Sequence, residues 1–364
     1  MRRIVWFDAL TTKQLLIGFS LKRYLDEKGY NVLLTTRDYD VIRGLVASLG
    51  IEAEIFGGYK EDLFEKLIDE SERIAKAARI LQRFREEILA GVSYPNPVEA
   101  RVMYGINRPY IVLSDSPHSK HPHRLSLPLA KYLVYSSCIP REAWREYEWP
   151  GLRVVPYDGF DELAWIKDLP QVFSRDYVKN IGLEEYRYVV ARPEESKASY
   201  YSWGFNLDFW RSLITRIIDK DLKVILLPRY EDQRLILSRE LKDYLEKNLV
   251  VIPRPEDAQG PSLVRYSLAT ITGGGTMSRE AALQGVLGIT TFPLFLHVDK
   301  CVKELRLPLF YSRSVEEIIR LIDSFEKNVD LYKERSREII TTKKSPNEVI
   351  QGILRELERE LEEK

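Results

Sequence analysis

Short apolar runs alternate with helical periods along almost the whole chain, and this alternation restricts the fold more than any other feature. In the first half the apolar runs are residues 4–8 (IVWFD), 31–35 (NVLLT), 52–56, 110–114 (YIVLS), 132–135 and 153–155. Helical stretches at 13–28, 38–49, 61–89 and 98–104 separate them, and Gly29, Gly50 and Gly105 stand where three of these stop. The stretch 61–89 is amphipathic, with or without a break. Residues 92–97 (VSYPNP) read as a strand end and a turn. Residues 156–176 show no period and carry Gly159 and Pro170, which marks a passage between domains. Alternation then restarts, with strands expected at 186–191, 223–227, 249–252, 268–272 and 289–292. The matching helices are 207–218, 232–246, 261–265 and 276–284, and helices close the chain, the last at 347–362. Strands that read as continuous apolar runs between helices belong to parallel sheets covered on both faces. The expectation is an α/β chain of two doubly wound parallel-sheet domains, with a ligand cleft between the carboxyl ends of their strands. The first is placed at 1–165 and the second at 166–345. An amphipathic helix follows at 346–364, with Ile350, Ile353, Leu354 and Leu357 on one stripe.

Composition narrows the partners. The chain has 364 residues, 55 Lys plus Arg against 55 Asp plus Glu, and a formal net charge of zero. No global basic field exists to hold nucleic acid. Charged residues at 30%, with only two Cys and three Met, suggest a thermophile's composition. Cys138 and Cys301 match no metal or redox spacing, so two free thiols in a reducing cytosol are expected. The apolar part of MRRIVWFDAL is too short for a signal peptide core, and no uncharged run reaches membrane-spanning length. A cytoplasmic protein with no membrane span is expected.

The stretch 268–288 (LATITGGGTMSREAALQGVLG) combines a buried-strand run, three glycines and a run of helix formers ending at Gly285. A strand–glycine turn–helix unit aims free backbone N–H groups and the positive end of a helix dipole at one spot. An anion, most often a phosphate, fits there. Gly273, Gly274, Gly275 and Thr276 are therefore candidate binding residues. Glu280, one turn into the helix, suits neutral hydroxyls such as those of a ribose beside the phosphate. A tight turn that only lets helix pack on sheet accounts for the same residues.

Three of the four His, at 118, 121 and 123, follow Asp115 closely. One reading makes His118 a general base oriented by Asp115. A polar loop lending positive charge, through Lys120 and Arg124, is the plainer alternative. A zinc site matches no catalytic spacing, and no metal is expected. Asp8 ends the first strand as either a functional carboxylate or a cap of the next helix. Tyr200, Tyr201, Trp203 and Phe205 suit either stacking on a sugar or base, or core packing.

Residues 192–201 (RPEESKASYY) and 273–285 (GGGTMSREAALQG) resemble a widespread, poorly characterised archaeal and bacterial family. That family is related to UDP-N-acetylglucosamine 2-epimerase and to glycosyltransferases with two Rossmann-like domains, the GT-B type. Residues 113–130 (LSDSPHSKHPHRLSLPLA) and 156–166 (PYDGFDELAWI) fit its pattern as well. The resemblance makes the two doubly wound domains Rossmann-like, facing across a cleft. It implies that Glu280 holds the ribose hydroxyls of a UDP-sugar, that the backbone of Gly274, Gly275 and Thr276 faces its diphosphate, and that Arg192 lies near the phosphates. Two departures fall in the first half. Where the family has an Asn-x-x-His-like turn, this chain has Ala9 to Gln14 with Lys13. Where the family has Ser-His-Gly, it has Ser93, Tyr94 and Pro95. Loss of those imidazoles counts against epimerase chemistry. The expected function is a metal-independent glycosyltransferase using a nucleotide-diphosphate sugar, UDP-linked by preference, on an unknown acceptor, with no further cofactor. A nucleotide-sugar epimerase or hydrolase, and a nucleotide-sugar-binding protein without turnover, are the alternatives. A homodimer is compatible with all three.

Overall fold

A computed structural model describes residues 3–39, 41–194, 205–292 and 296–363. Tyr200, Tyr201 and Trp203 of the aromatic cluster lie outside the described residues. The chain divides into one unit of Met1–Leu169 with Lys343–Lys364 and a second of Pro170–Thr342.

The first unit is built on seven strands: β1 (Ile4–Ala9), β2 (Asn31–Asp38), β3 (Glu54–Gly58), β4 (Ile88–Ser93), β5 (Tyr110–Leu113), β6 (Tyr132–Ser136) and β7 (Arg153–Tyr157). They lie parallel in the order β3-β2-β1-β4-β5-β6-β7. Every residue of β1, β4, β5 and β6 is buried, because helices cover both faces of the sheet's centre. The order reverses between β1 and β4. The crevice at the carboxyl ends of these two strands is where open sheets of this kind take ligands.

The closing helix Pro346–Glu362 returns to this unit. Its predicted stripe Ile350, Ile353, Leu354 and Leu357 is buried. Asn347 Nδ2 donates to Ser20 Oγ at 2.7 Å, Tyr30 donates to Glu358 at 2.7 Å, and Lys131 and Arg153 pair with Glu360 and Glu356.

The second unit carries β8 (Tyr188–Arg192), β9 (Lys223–Leu226), β10 (Val250–Val251), β11 (Ala269–Thr272), β12 (Leu287–Thr290) and β13 (Leu309–Tyr311). They are parallel in the order β10-β9-β8-β11-β12-β13, which repeats the reversal, here between β8 and β11. Trp210, Leu213, Ile214, Ile217, Ile318 and Ile322 cover one face of this sheet. Val178, Leu263 and Tyr266 belong to the cluster on the other face.

Three local expectations are corrected. The helix expected to run to residue 89 ends at Gln82, and Ile88–Ser93 is the central strand β4. A strand buried on both faces has no alternation to separate it from a helical period. The three-residue strand β13 at the sheet's edge was not expected at all. Neither cysteine is a free thiol. The lack of a metal or redox spacing, on which that expectation rested, says nothing about whether the fold brings a cysteine to a partner. Among the described residues, no helix is long and apolar enough to cross a membrane.

Candidate functional site

In the second unit three loops converge at the carboxyl edge. The β11 strand leads through Gly273, Gly274 and Gly275 into the helix Thr276–Leu283. Gly273 N–H donates to Arg192 O at 2.9 Å, which seats the turn against the end of β8. A Cβ on Gly273 would lie 2.5 Å from Glu194 Cα, so only glycine permits this approach. Ser278 Oγ donates back to Gly275 O at 3.0 Å. The helix start has Gly275 as its cap residue, with no side-chain cap among the described residues. Its first N–H groups therefore keep the positive end of the dipole available. Gly274 to Met277 are partly exposed.

Residues that the sequence reading missed frame this turn. Arg229, just after β9, donates its Nε–H to Pro193 O at 3.2 Å. Its Nη2 lies 3.2 Å from where a Gly274 Cβ would stand. Gln233 accepts from Arg229 N–H at 3.0 Å and donates to Glu194 O at 2.9 Å, tying the β9 loop to the β8 loop. Glu194 accepts from Trp210 Nε1 at 2.7 Å, and burial pushes its carboxyl above the usual range. Glu280 sits one turn into the helix and is 3% exposed. Beside it Arg279 pairs with Asp299 at 2.9 Å, both buried. An arginine following a predicted strand was the one available signal, and it pointed equally to Arg192 and Arg229.

The first unit has its own polar cluster at the carboxyl edge. Lys13, in the helix Thr12–Asp26, donates to Asp115 at 2.6 Å and to Asp161 at 3.0 Å. Asp161, almost fully buried, also accepts from Tyr157 OH at 2.6 Å and from Tyr94 OH. The Lys13 ammonium stands 4.8 Å from the Tyr94 ring centroid. Burial, reinforced by Asp161, pushes the Tyr94 hydroxyl well above its usual range. Lys13 and Asp115, both predicted site residues, are thus brought together. Asp161 was missed because it falls in the stretch read as a passage between domains.

Asp8 does not cap the first helix, and it is held inside the unit. It is fully buried, and its carboxylate accepts from Thr35 at 2.7 Å, Arg73 at 2.6 Å and Asn96 at 2.7 Å. Its own N–H donates to Glu99 Oε2 at 2.8 Å. Burial, and then the nearby Asp8 charge, pushes Glu99 well above the carboxylate range. Thr11, not Asp8, caps the first helix, accepting from Gln14 N–H. Asp8 fastens β1 to the neighbouring strand and helices instead of facing solvent.

The three histidines separate. His118 is exposed on the turn after β5, and His121 is exposed in the helix Lys120–Ser126. His123 is buried and stacks on Tyr147 at 5.0 Å. It donates Nδ1–H to Ser119 O at 2.5 Å and lies 3.0 Å from Ser114 Oγ. Burial holds its imidazole below the usual value. Tyr147 OH donates to Pro117 O at 2.8 Å. His123 and Tyr147 therefore pin the turn that presents His118. Asp115 Oδ1 accepts from Ser116 Oγ at 2.8 Å. Among the described residues no group of three or more His, Cys, Asp or Glu is arranged to hold a metal ion.

This combination of folds and loops can be set beside known proteins. Over residues 4–351 the chain matches the family described as "Protein of unknown function (DUF354)". The chain belongs to that family. It is 26% identical over 330 residues to an uncharacterized protein of Methanocaldococcus jannaschii, covering 88% of this chain and 90% of that one. Among solved structures it is similar to UDP-N-acetylglucosamine 2-epimerase from Rickettsia bellii, with a TM-score of 0.66, 11% identity and 100% of each chain covered. It is also similar to a glycosyltransferase from Rickettsia africae, with a TM-score of 0.56, 10% identity and 98% of each chain covered. At such identities the likeness is one of fold. This DUF354 chain has the two Rossmann-like parallel sheets expected from its sequence, with GT-B-like structural neighbours.

Proposed function

We propose that this DUF354 chain binds a nucleotide-diphosphate sugar, UDP-linked by preference, and transfers its sugar to an acceptor hydroxyl without a metal ion. The observation that carries the reading is the helix start at Thr276, which among the described residues no side chain caps, reached through a turn whose first glycine tolerates no side chain. In this reading Gly275 and Thr276 offer backbone N–H groups to the diphosphate, while Gly273 and Gly274, whose N–H groups are bonded to Arg192 O and Thr272 Oγ1, shape the turn beneath it. Glu280 accepts from the ribose hydroxyls, each charged hydrogen bond contributing roughly 1.5–3 kcal/mol. Arg192 adds positive charge near the phosphates. The helix amides stabilise the leaving diphosphate as the glycosidic bond breaks. Acceptor binding is assigned to the carboxyl edge of the first unit, where Lys13 and Asp115 position the acceptor and His118 takes its proton. The fold neighbours are a UDP-sugar epimerase and a glycosyltransferase by name, which supports this ligand class.

One observation favours a binding protein without turnover. Lys13 and Tyr94, standing where the resemblance led us to expect imidazoles, are both bonded to Asp161. Thermal-shift screening against UDP-, GDP-, ADP- and TDP-linked sugars tests the shared premise. A rise with one of them that Glu280→Ala abolishes supports the site, and no rise with any overturns it. Release of free nucleotide from the donor that binds then separates an enzyme from a binding protein. Dependence of that release on added acceptor separates transferase from hydrolase.

A further inference from the structure

We propose that Arg229 reads the second phosphate of the ligand, and so makes the glycine-turn site select nucleoside diphosphates over monophosphates. This rests on the reading of that turn as a nucleotide site.

The N-terminal amides of a helix converge on roughly one anionic group, because the dipole field fades within the first turn. A site made only of Thr276 and the amides beside it would take a monophosphate nearly as well as a diphosphate. Arg229 extends the positive region beyond the helix. Its guanidinium Nη2 stands 3.2 Å from the point where a Gly274 Cβ would lie, so it hangs over the turn itself. Gly274 precedes the helix, whereas Glu280 lies within it. A nucleoside whose ribose is held at Glu280 places its first phosphate at the helix start and its second toward Gly274.

The guanidinium is also held in place before any ligand arrives. Its Nε–H is fixed on Pro193 O at 3.2 Å, and the backbone of Arg229 is fixed by Gln233 at 3.0 Å. Gln233 is itself 3% exposed and grips Glu194 O at 2.9 Å. The three loops after β8, β9 and β11 thus set the fork's position relative to the glycines. A planar fork with several N–H donors at a fixed place is the geometry that recognises phosphate oxygens in pairs. Among the described residues, a Cβ at Gly274 would meet only this guanidinium, so glycine there leaves room for the fork, not for backbone.

The test is isothermal titration of UDP and UMP, with inorganic pyrophosphate as a base-free probe, against the wild type and Arg229→Gln. In the wild type UDP is expected to bind roughly 10- to 100-fold more tightly than UMP. Arg229→Gln should lower UDP and pyrophosphate affinity by a similar factor and leave UMP within about twofold. Equal losses for UDP and UMP, or no loss for either, overturn the proposal. If the wild type binds no nucleotide at all, the reading of the turn as a nucleotide site fails first, which distinguishes the two failures. A measurement on the unaltered chain guards against a misfolded variant. Phenylglyoxal modification of Arg229, followed by mass spectrometry, should slow under saturating UDP and not under saturating UMP. Equal rates with both ligands overturn the proposal.

Discussion

Lys13 places its ammonium 2.6 Å from Asp115 and within reach of Asp161, so one cation neutralises a pair of carboxylates drawn from the loops after β5 and β7. Asp161 is almost fully buried, and it also accepts from Tyr94 and Tyr157. Removing the cation leaves a buried charge held by neutral hydroxyls. Lys13→Met should cost about 3 kcal/mol, at the lower end of the range for breaking a buried pair because the ammonium is partly exposed. Lys13→Met with Asp161→Asn should recover part of that loss. Guanidinium denaturation of the four proteins checks it, and additive losses would show that the two residues act independently.

Glu99 gives the first unit a pH dependence of definite sign. Its folded carboxyl is held well above the usual range by burial and then by Asp8. The folded protein therefore keeps a proton that the unfolded chain releases near pH about 4.3. The stability contributed by this group is full below that value and is lost as pH rises from there through the folded value. Glu99→Gln keeps an acceptor for Asp8 N–H and does not titrate. Between about pH 5 and pH 8 the variant should gain stability relative to the wild type as pH rises. Denaturation midpoints at several pH values measure this, and a difference that stays flat would contradict it.

The glycine turn should respond unequally to added methyl groups. At Gly273 a Cβ meets Glu194 backbone at 2.5 Å, whereas at Gly274 it meets an arginine side-chain tip at 3.2 Å. Gly273→Ala should destabilise by about 1–3 kcal/mol or more, since the backbone must move. Gly274→Ala should stay within about 1 kcal/mol. Melting temperatures of the two variants decide it, and equal losses would mean that the β8 loop yields as easily as a side chain.

Arg279 and Asp299 form a buried pair at 2.9 Å between the glycine-turn helix and the helix His297–Glu304. Arg279→Met or Asp299→Asn alone should each cost about 3–5 kcal/mol, and the double variant should cost less than their sum. A double-mutant cycle by urea denaturation gives the coupling. A coupling near zero would assign the cost to lost packing.

The alternation of runs was enough to read both sheets, because each buried strand and each amphipathic helix carries its own local signal. The stripe from Ile350 to Leu357 is the plainest case: its period of about 3.6 shows in the sequence and is buried in the structure. The same rule failed at Ile88–Ser93, where burial on both faces erases the period. The glycine turn was legible because strand, turn and helix are consecutive. The polar clusters were not. Asp8 meets Arg73 and Asn96, and Asp161 meets Lys13, Tyr94 and Tyr157, through the folding of loops and helices that no local pattern encodes. His123 shows the opposite error: nearness in sequence grouped it with His118, while the fold turned it inward to stack on Tyr147.

The return of the helix Pro346–Glu362 to the first unit has a consequence for how the chain is made. Everything in Pro170–Thr342 leaves the ribosome as one uninterrupted piece and can close its core at once. The first unit, although begun earlier, waits for the helix Pro346–Glu362 to arrive before Ile350, Ile353, Leu354 and Leu357 cover its apolar surface. The order of synthesis and the order of completion are therefore opposite. A nascent chain stalled before residue 346 carries a finished second unit beside an unfinished first one, and that first unit is the part that would need a chaperone's shelter.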